Sequence, residues 1–554
     1  MNRNNESHFN KIPEMHVSRS RFKRKQNVKF TCNAGQLIPF YVDEVLPGDT
    51  FSVDTSAICR MTTPVFPVMD NCYMDYYYFF VPNRIVWEHW KQFCGENDER
   101  AWVNETEYSV PKIKVNGVKE ESILDYMGIP TKINNTTRIN ALPIRGYVKI
   151  WNEWFRDQNI DNPALNATDD ATKEYADTAT TKEQILQQAY LGGRPLWVNK
   201  FHDFFTSALP SPQKGIPTLV PVNGIAPIVQ FTDANLTKQP GNIDTRVYLY
   251  NPVDMGTDGK LSGFEHGLQS NETTELTAIK LFGVDKRSNE VERYLAADLN
   301  INGITTTIND LRNAFAVQQF MEADARGGTR YRELIRNHFG VSIDDATVQI
   351  PEYLGGQRHM INVSQVVQTS ETTSTSPQGN AAAISVTPFS DNSFTKSFQE
   401  HGFVIGVCCI RNDNTYQQGI EKMWSRTNKF DYYWPEFAHL GEQAILNREI
   451  YAQGTDDDEK AFGYQEAWAE YRMKPNRVSG KFRSNAEGTL DSWHYADNYA
   501  TLPTLSQDWL ATDESVIYRT LAVQNQPQFI IDCMVDNTTV RRMPIYSVPG
   551  LDKL

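Results

Sequence analysis

With 554 residues, 68 acidic against 54 basic side chains and a net charge of −14, the chain excludes a uniformly positive coat, so any nucleic-acid contact must be local. Its length exceeds the ~250–300 residues at which one hydrophobic core stops growing, yet no Gly/Ser-rich or Pro-rich linker divides it; one domain with large insertions and two domains both fit. No apolar run approaches the ~18 residues of a membrane span and no apolar signal core opens the chain, which predicts a soluble protein made in a cytoplasm, with no membrane insertion. The 12% of aromatic residues fits either a large aromatic core or burial between subunits. Seven cysteines without C-x-x-C spacing predict reduced thiols.

In chain order, residues 1–34 are polar, and Arg19, Arg21, Lys23, Arg24, Lys25 and Lys29 form a basic cluster without an acidic neighbour. This predicts a basic N-terminal arm, either touching phosphates or simply solvated. Gln36–Leu46 reads as a strand, turned by Pro47-Gly48-Asp49. Phe51, Val53, Thr55 and Ala57 alternate with polar neighbours, as in a strand with one buried face. In the next strand, Tyr73–Val81, Tyr76, Tyr78 and Phe80 point to one side and Tyr77 and Phe79 to the other. Both faces are aromatic, so a second sheet, a long insertion or another subunit must cover it twice.

Trp87, Trp90 and Trp102 follow in a mixed region, and residues 95–140 read as loops. Pro143 then opens a helix in which Tyr147, Ile150, Trp151, Trp154 and Phe155 fall on one packing stripe. Thr181 to Gln184 fits a capping box for a short helix stopped at Gly192. Residues 216–300 are rich in turn formers, with short apolar clusters (Ile225–Phe231, Val247–Tyr250, Leu276–Phe282), and are too long for an ordinary loop. Asn309 or Asp310 caps a helix with Leu311, Phe315 and Met321 on one face, broken at Gly327-Gly328; Tyr331–Phe339 is a second, ended by Gly340. Residues 368–393 read as a surface loop. Gly402–Ile410, Val516–Val523, Pro527–Val535 and Pro544–Val548 read as strands, and Glu459–Arg472 as a helix. The pattern is β-rich with helical insertions, its strands mainly in 35–82 and 400–548.

The chain has no phosphate-cradling G-x-x-x-x-G-K-[ST], no H-E-x-x-H and no G-x-S-x-G. The Gly-Gly pairs at 192, 327 and 355 read as turns. His338, His439 and His494 lie beside aromatics and read as structural, and Asp456 to Glu459 as a helix cap rather than a cation site. No catalytic, cofactor or metal residue is assigned. Because carboxylates in a β-sandwich could reach glycosidase spacing, a carbohydrate-binding or carbohydrate-cleaving protein is the alternative class.

Several blocks carry a family resemblance: 142–159 (LPIRGYVKIWNEWFRDQN), 205–215 (FTSALPSPQKG), 323–341 (ADARGGTRYRELIRNHFGV), 351–357 (PEYLGGQ), 462–484, 490–496 (LDSWHYA) and 543–551 (MPIYSVPGL). With the Gly35–Trp90 stretch, they resemble major capsid proteins of the gokushovirus branch of the Microviridae; only 216–300 matches poorly. The resemblance implies an eight-stranded viral jelly-roll β-sandwich with large helical and loop insertions. The basic arm would span 1–34 and a single capsid domain 35–554, with 216–300 as a protruding insertion that meets the host. It further implies self-assembly into a small icosahedral shell around circular single-stranded DNA, found in the virion and assembled in the bacterial cytoplasm. The implied partners are an internal scaffolding protein, a DNA pilot protein, a small basic DNA-binding protein and a host receptor, with no cofactor. The six basic residues are then expected to face DNA without reading its sequence, and Tyr76 to Phe80 to serve a core or an interface.

Overall fold

A computed structural model describes residues 18–96, 106–133, 137–215, 308–367, 372 and 381–546, with four short backbone segments between 228 and 297. Eight strands build its centre: β1 (Arg19–Cys32), β2 (Ile38–Val45), β3 (Thr50–Met61), β4 (Cys72–Pro82), β5 (Glu352–Met360), β6 (Thr387–Ser397), β7 (Gly402–Asn412) and β8 (Phe529–Arg542). They form two four-stranded antiparallel sheets, ordered β1-β8-β3-β6 (sheet one) and β5-β4-β7-β2 (sheet two). Most connections cross from one sheet to the other, the wiring of a double-sheet jelly roll.

Between the sheets, Phe51, Val53, Ala57 and Cys59 of β3 and Ile531 and Val535 of β8 pack against Tyr78 and Phe80 of β4 and Val404, Cys408 and Ile410 of β7. β3 shows the alternation of a strand with one wet face, whereas nearly every residue of β4 and β7 is buried. Their second face forms another core. Phe79 and Val81, with Ile405 and Val407, lie under Leu142, Ile144, Tyr147 and Trp151. The covering helix, α1 (Leu142–Ile150), starts with Pro at its second position. It can approach closely because Gly146 lacks a side chain: a Cβ there would sit 3.0 Å from Ile405 Cδ1. Tyr147 donates its hydroxyl to the Leu37 carbonyl at 2.7 Å, and Trp151 donates its indole N–H to the Trp197 carbonyl at 2.6 Å. The helix Lys182–Gln188 (α2) is capped by Thr181, whose hydroxyl accepts from the Gln184 amide, and Gly192 follows it at φ +87°.

Several expectations are corrected. The basic N-terminal arm is strand β1 from Arg19 onward, paired in register with β8 from Arg19 opposite Arg542 to Cys32 opposite Phe529. Phe22, Val28 and Phe30, half-buried at alternate positions, give it an apolar side that the intervening cations disguise. β5 and β6 lie between 35–82 and 400–548, the two stretches expected to hold most of the strands, and β6 takes in the end of the expected loop 368–393. Gly355-Gly356 is not a turn but the middle of β5, beside a bulge after Tyr353. A Cβ at Gly355 would lie 2.3 Å from the Ser393 carbonyl oxygen, and one at Gly356 2.2 Å from that of Tyr76, so only glycine fits. Val516–Val523 holds the short helix Ser515–Tyr518 instead of a strand. Glu459–Arg472 holds the strand Ala461–Gln465, which pairs with Gln443–Leu446, instead of a helix. Of the expected strand Pro544–Val548, Pro544 to Tyr546 lie outside any strand and residues 547–548 lie outside the described residues.

The chain divides into two compact units, Met1–Lys214 with Glu322–Leu554, and Gly215–Met321. In the second, Ile228–Phe231 pairs with Tyr294–Ala297 and Val247–Tyr250 with Lys280–Gly283, both antiparallel. The rest of the expected protrusion, 216–300, lies outside the described residues. Two further helices are α3 (Ile308–Gly327) and α4 (Tyr331–Phe339), the latter ended by Gly340 at φ +70°.

Phe80 is buried between the sheets, so Phe80→Ala should cost about 3–5 kcal/mol of subunit stability. Tyr77, half-buried on the opposite face, should cost clearly less when truncated. Denaturant unfolding of unassembled subunits measures both, and a fully stable Phe80→Ala subunit would contradict this packing.

Candidate functional site

The two sheets differ in what covers them. Sheet two lies beneath the second core, while the outer face of sheet one is open among the described residues and largely polar, with Ile58, Ile530 and Met534 exposed on it. Hydroxyl pairs run across β3 and β6: Thr50 with Ser397 at 2.8 Å, Ser52 with Thr395 at 2.9 Å, Ser56 with Ser390 at 2.8 Å. Along its edge, β1 turns Arg19, Arg21, Lys23, Lys25 and Lys29 outward at alternate positions.

The six expected DNA-facing residues do not share one environment. Arg24 faces inward, pairing with Asp43 at 2.7 Å, donating to Thr539 Oγ1 and lying 5.0 Å above the Phe51 ring. Lys25 pairs with Asp536 at 2.9 Å, and Lys29 with Asp532 at 3.8 Å. Arg19 donates to the Gly48 carbonyl. Arg19, Arg21 and Lys23 have no carboxylate partner among the described residues, and neither does Arg542, which stands opposite Arg19. These four cations form a positive corner on the open sheet. Of the aromatic cluster, Tyr76, Tyr78 and Phe80 lie in the inter-sheet core, Phe79 in the second core, and Tyr77 packs against the latter's edge.

The sequence reading missed a second feature. From Lys422 to Phe437 three short 3₁₀ turns hold aromatic rings in solvent, Trp424 at 73% and Phe430 at 60% exposure, with Tyr432, Tyr433 and Trp434 also exposed. This ridge is built stiffly. The Arg426–Glu470 ion pair at 2.8 Å is almost fully buried, and the Arg426 guanidinium lies 4.5 Å from the Tyr471 ring centre. Asp431 accepts the Asn428 and Thr427 amides at 2.7 Å, and those bonds hold its carboxyl below the ordinary value. Trp468 beneath it takes the left-handed φ of +64° and donates to the Phe437 carbonyl at 2.9 Å. The only sequence signal was aromatic density without a helix or strand period.

The remaining candidates have structural partners. His338 pairs with Asp324 at 2.7 Å, and His439 is exposed. His494 is buried against the Phe482 carbonyl at 2.6 Å, and burial, then Arg519, push its pKa down. Asp457 pairs with Lys460, Glu459 with Arg448, and Asp458 accepts the Gln453 and Gly454 amides. All seven thiols are unbonded, and burial pushes those of Cys59, Cys409 and Cys533 up to about 12, so they behave as small core hydrophobes.

A jelly roll with one sheet wrapped, the other open, and stiffly mounted aromatics turned outward is the build of a shell-forming coat subunit. The chain belongs to the phage capsid protein (F protein) family, whose profile matches residues 10–551. It is 41% identical to Capsid protein VP1 of Bdellovibrio phage phiMH2K and 40% identical to that of Chlamydia phage 1, each over 99% of this chain and 98% of the relative. Capsid protein VP1 of Spiroplasma virus 4 is 38% identical over the same shares. The resemblance to gokushovirus capsid proteins thus holds along nearly the whole chain. The family and these relatives are structural capsid proteins, not enzymes, so the carbohydrate-cleaving alternative is set aside.

Arg24→Gln leaves Asp43 without its cation in a part-buried site and should cost about 1–3 kcal/mol. Lys29→Gln removes only an exposed, screened pair and should stay within about 0.5 kcal/mol. Chemical denaturation of unassembled subunits separates the two; equal effects would show that the Arg24 contact carries no structural weight.

Proposed function

We propose that copies of this chain close into a small icosahedral shell, one subunit per asymmetric unit, around a circular single-stranded DNA genome. The observation that carries this reading is the open, largely polar face of sheet one with four cations, Arg19, Arg21, Lys23 and Arg542, that no carboxylate matches among the described residues. In a chain of net charge −14, a confined positive corner supplies phosphate contact without sequence preference. The aromatic ridge supports contact between copies, because Trp and Tyr dominate the centres of protein interfaces. An internal scaffolding protein, a DNA pilot protein and a small basic DNA-binding protein belong to this proposal through the family resemblance, as does assembly in the bacterial cytoplasm. Host attachment by 216–300 belongs to the proposal on the same ground, supported by the length of that segment.

Replacing Arg19, Arg21, Lys23 and Arg542 together by Gln should leave particles intact but lower their DNA retention. The dependence of binding on log salt should flatten by roughly 3, because each neutralised phosphate of a single strand adds about 0.7 to that slope. Unchanged packaging at every salt concentration would remove the corner from DNA binding. For the ridge, Trp424→Ala with Phe430→Ala should leave subunit unfolding unchanged while size-exclusion chromatography shows loss of particles. Normal particles from that variant would mean that the ridge faces something other than a second copy.

A further inference from the structure

Where the outer face of sheet two emerges from under α1, a cavity of about 570 Å³ opens, within the ~300–1,000 Å³ range of small-ligand sites. One wall is aromatic. Tyr77 of β4 meets Tyr353 of β5 at 6.3 Å and Phe155 at 5.8 Å between ring centres, and Trp154 meets Tyr353 at 5.9 Å. Tyr353 is 42% exposed, so part of its ring is open to a further stacking partner.

The lining also carries several cations, most of them already matched. Arg330 pairs with Glu333 at 3.2 Å and Glu153 at 3.4 Å, Arg411 with Asp75 at 2.5 Å, and Lys200 with Asp497 at 2.7 Å. Arg156 is the exception. Its guanidinium has no carboxylate within ion-pair distance among the described residues, and its Nε is buried without a hydrogen-bond partner. Burial and the like charge of Arg330 hold its pKa below the ordinary value, against the opposing pull of Glu153, Asp161 and Asp157, none of which forms an ion pair with it.

We infer that this cavity binds a nucleotide unit, with its base stacked on the Tyr353–Tyr77 wall and its phosphate on Arg156. One phosphodiester offers the direct ion pair that Arg156 does not make within the chain, and every base offers the flat face that such rings accept. The inference rests on the proposed DNA-containing shell and adds a second binding place, distinct from the cationic corner of sheet one. The same chemistry could come from a strand or from a free nucleotide.

Fluorescence anisotropy of labelled pentathymidylate on purified subunits tests it, with dTMP, an abasic pentamer and inorganic phosphate as competitors. Arg156→Gln and Tyr353→Leu should each weaken pentathymidylate binding about ten-fold, with thermal unfolding unchanged; the leucine keeps bulk and removes the ring. Competition by pentathymidylate far beyond dTMP supports a strand as the source, and equal competition supports a free nucleotide. An abasic pentamer or phosphate that competes as well as pentathymidylate would overturn the inference, because no base is then read. So would an acidic sugar that displaces it better. If the Gln variant at Arg19, Arg21, Lys23 and Arg542 loses binding while Arg156→Gln does not, the cavity fails and the shell reading stands. The reverse result leaves the cavity and removes the corner.

Discussion

The structure depends on β4 and β7, neighbouring strands that have almost no residue fit for water. Tyr78 and Phe80 need one core and Phe79 and Val81 another, so sheet two cannot stand at a surface. Each such side chain gains about 1.5–3 kcal/mol when both sides are covered and forfeits it otherwise. The chain meets that demand by laying α1 and the segments around Trp87 and Trp197 over sheet two. Once this insertion is committed there, it cannot also wrap sheet one. Sheet one, whose outward positions are mostly polar, makes no such demand.

Charge follows a comparable logic of remainders. Most cations near the sandwich have an acid of their own: Arg24 has Asp43, Arg541 has Asp49, and Arg358 and Arg411 share the buried Asp75. That last pair also stacks on Phe201, at 4.5 and 4.2 Å, and so fixes the 201–215 segment to the end of sheet two. Pairs of this kind hold the fold and leave little field for a ligand. Among the described residues, Arg19, Arg21, Lys23 and Arg542 at the β1 corner, Arg60 on β3 and Arg156 are cations left without such a pair.

Much of this was legible in the residues. The alternation of β3, the two-sided aromatics of β4, the stripe on α1 and the Thr181 cap are local patterns with a defined period or spacing. β1 was not legible, because Phe22, Val28 and Phe30 are diluted by six basic residues and their partner strand lies at the opposite end of the chain. β5 was hidden by Gly355-Gly356, since a glycine pair signals a turn locally and a close backbone approach only in three dimensions. The aromatic ridge rests on 3₁₀ turns, which have no periodicity long enough to show. At the basic cluster the residue types were plain, but which of them kept a free charge depended on Asp43, Asp532 and Asp536, remote in sequence.

The ladder between β1 and β8 has a bearing on synthesis. β8 lies between β1 and β3, so the first strand made has no neighbour in its sheet until the last strand leaves the ribosome. At about 5–20 residues per second, that interval for 554 residues is on the order of tens of seconds to two minutes. During it sheet two and its helical cover can form, while sheet one stays incomplete. A chain that stops before residue 529 lacks β8 and leaves β1 unpaired, with only β3 and β6 of sheet one able to join. Completion of sheet one is thus tied to the last strand of the chain to be made.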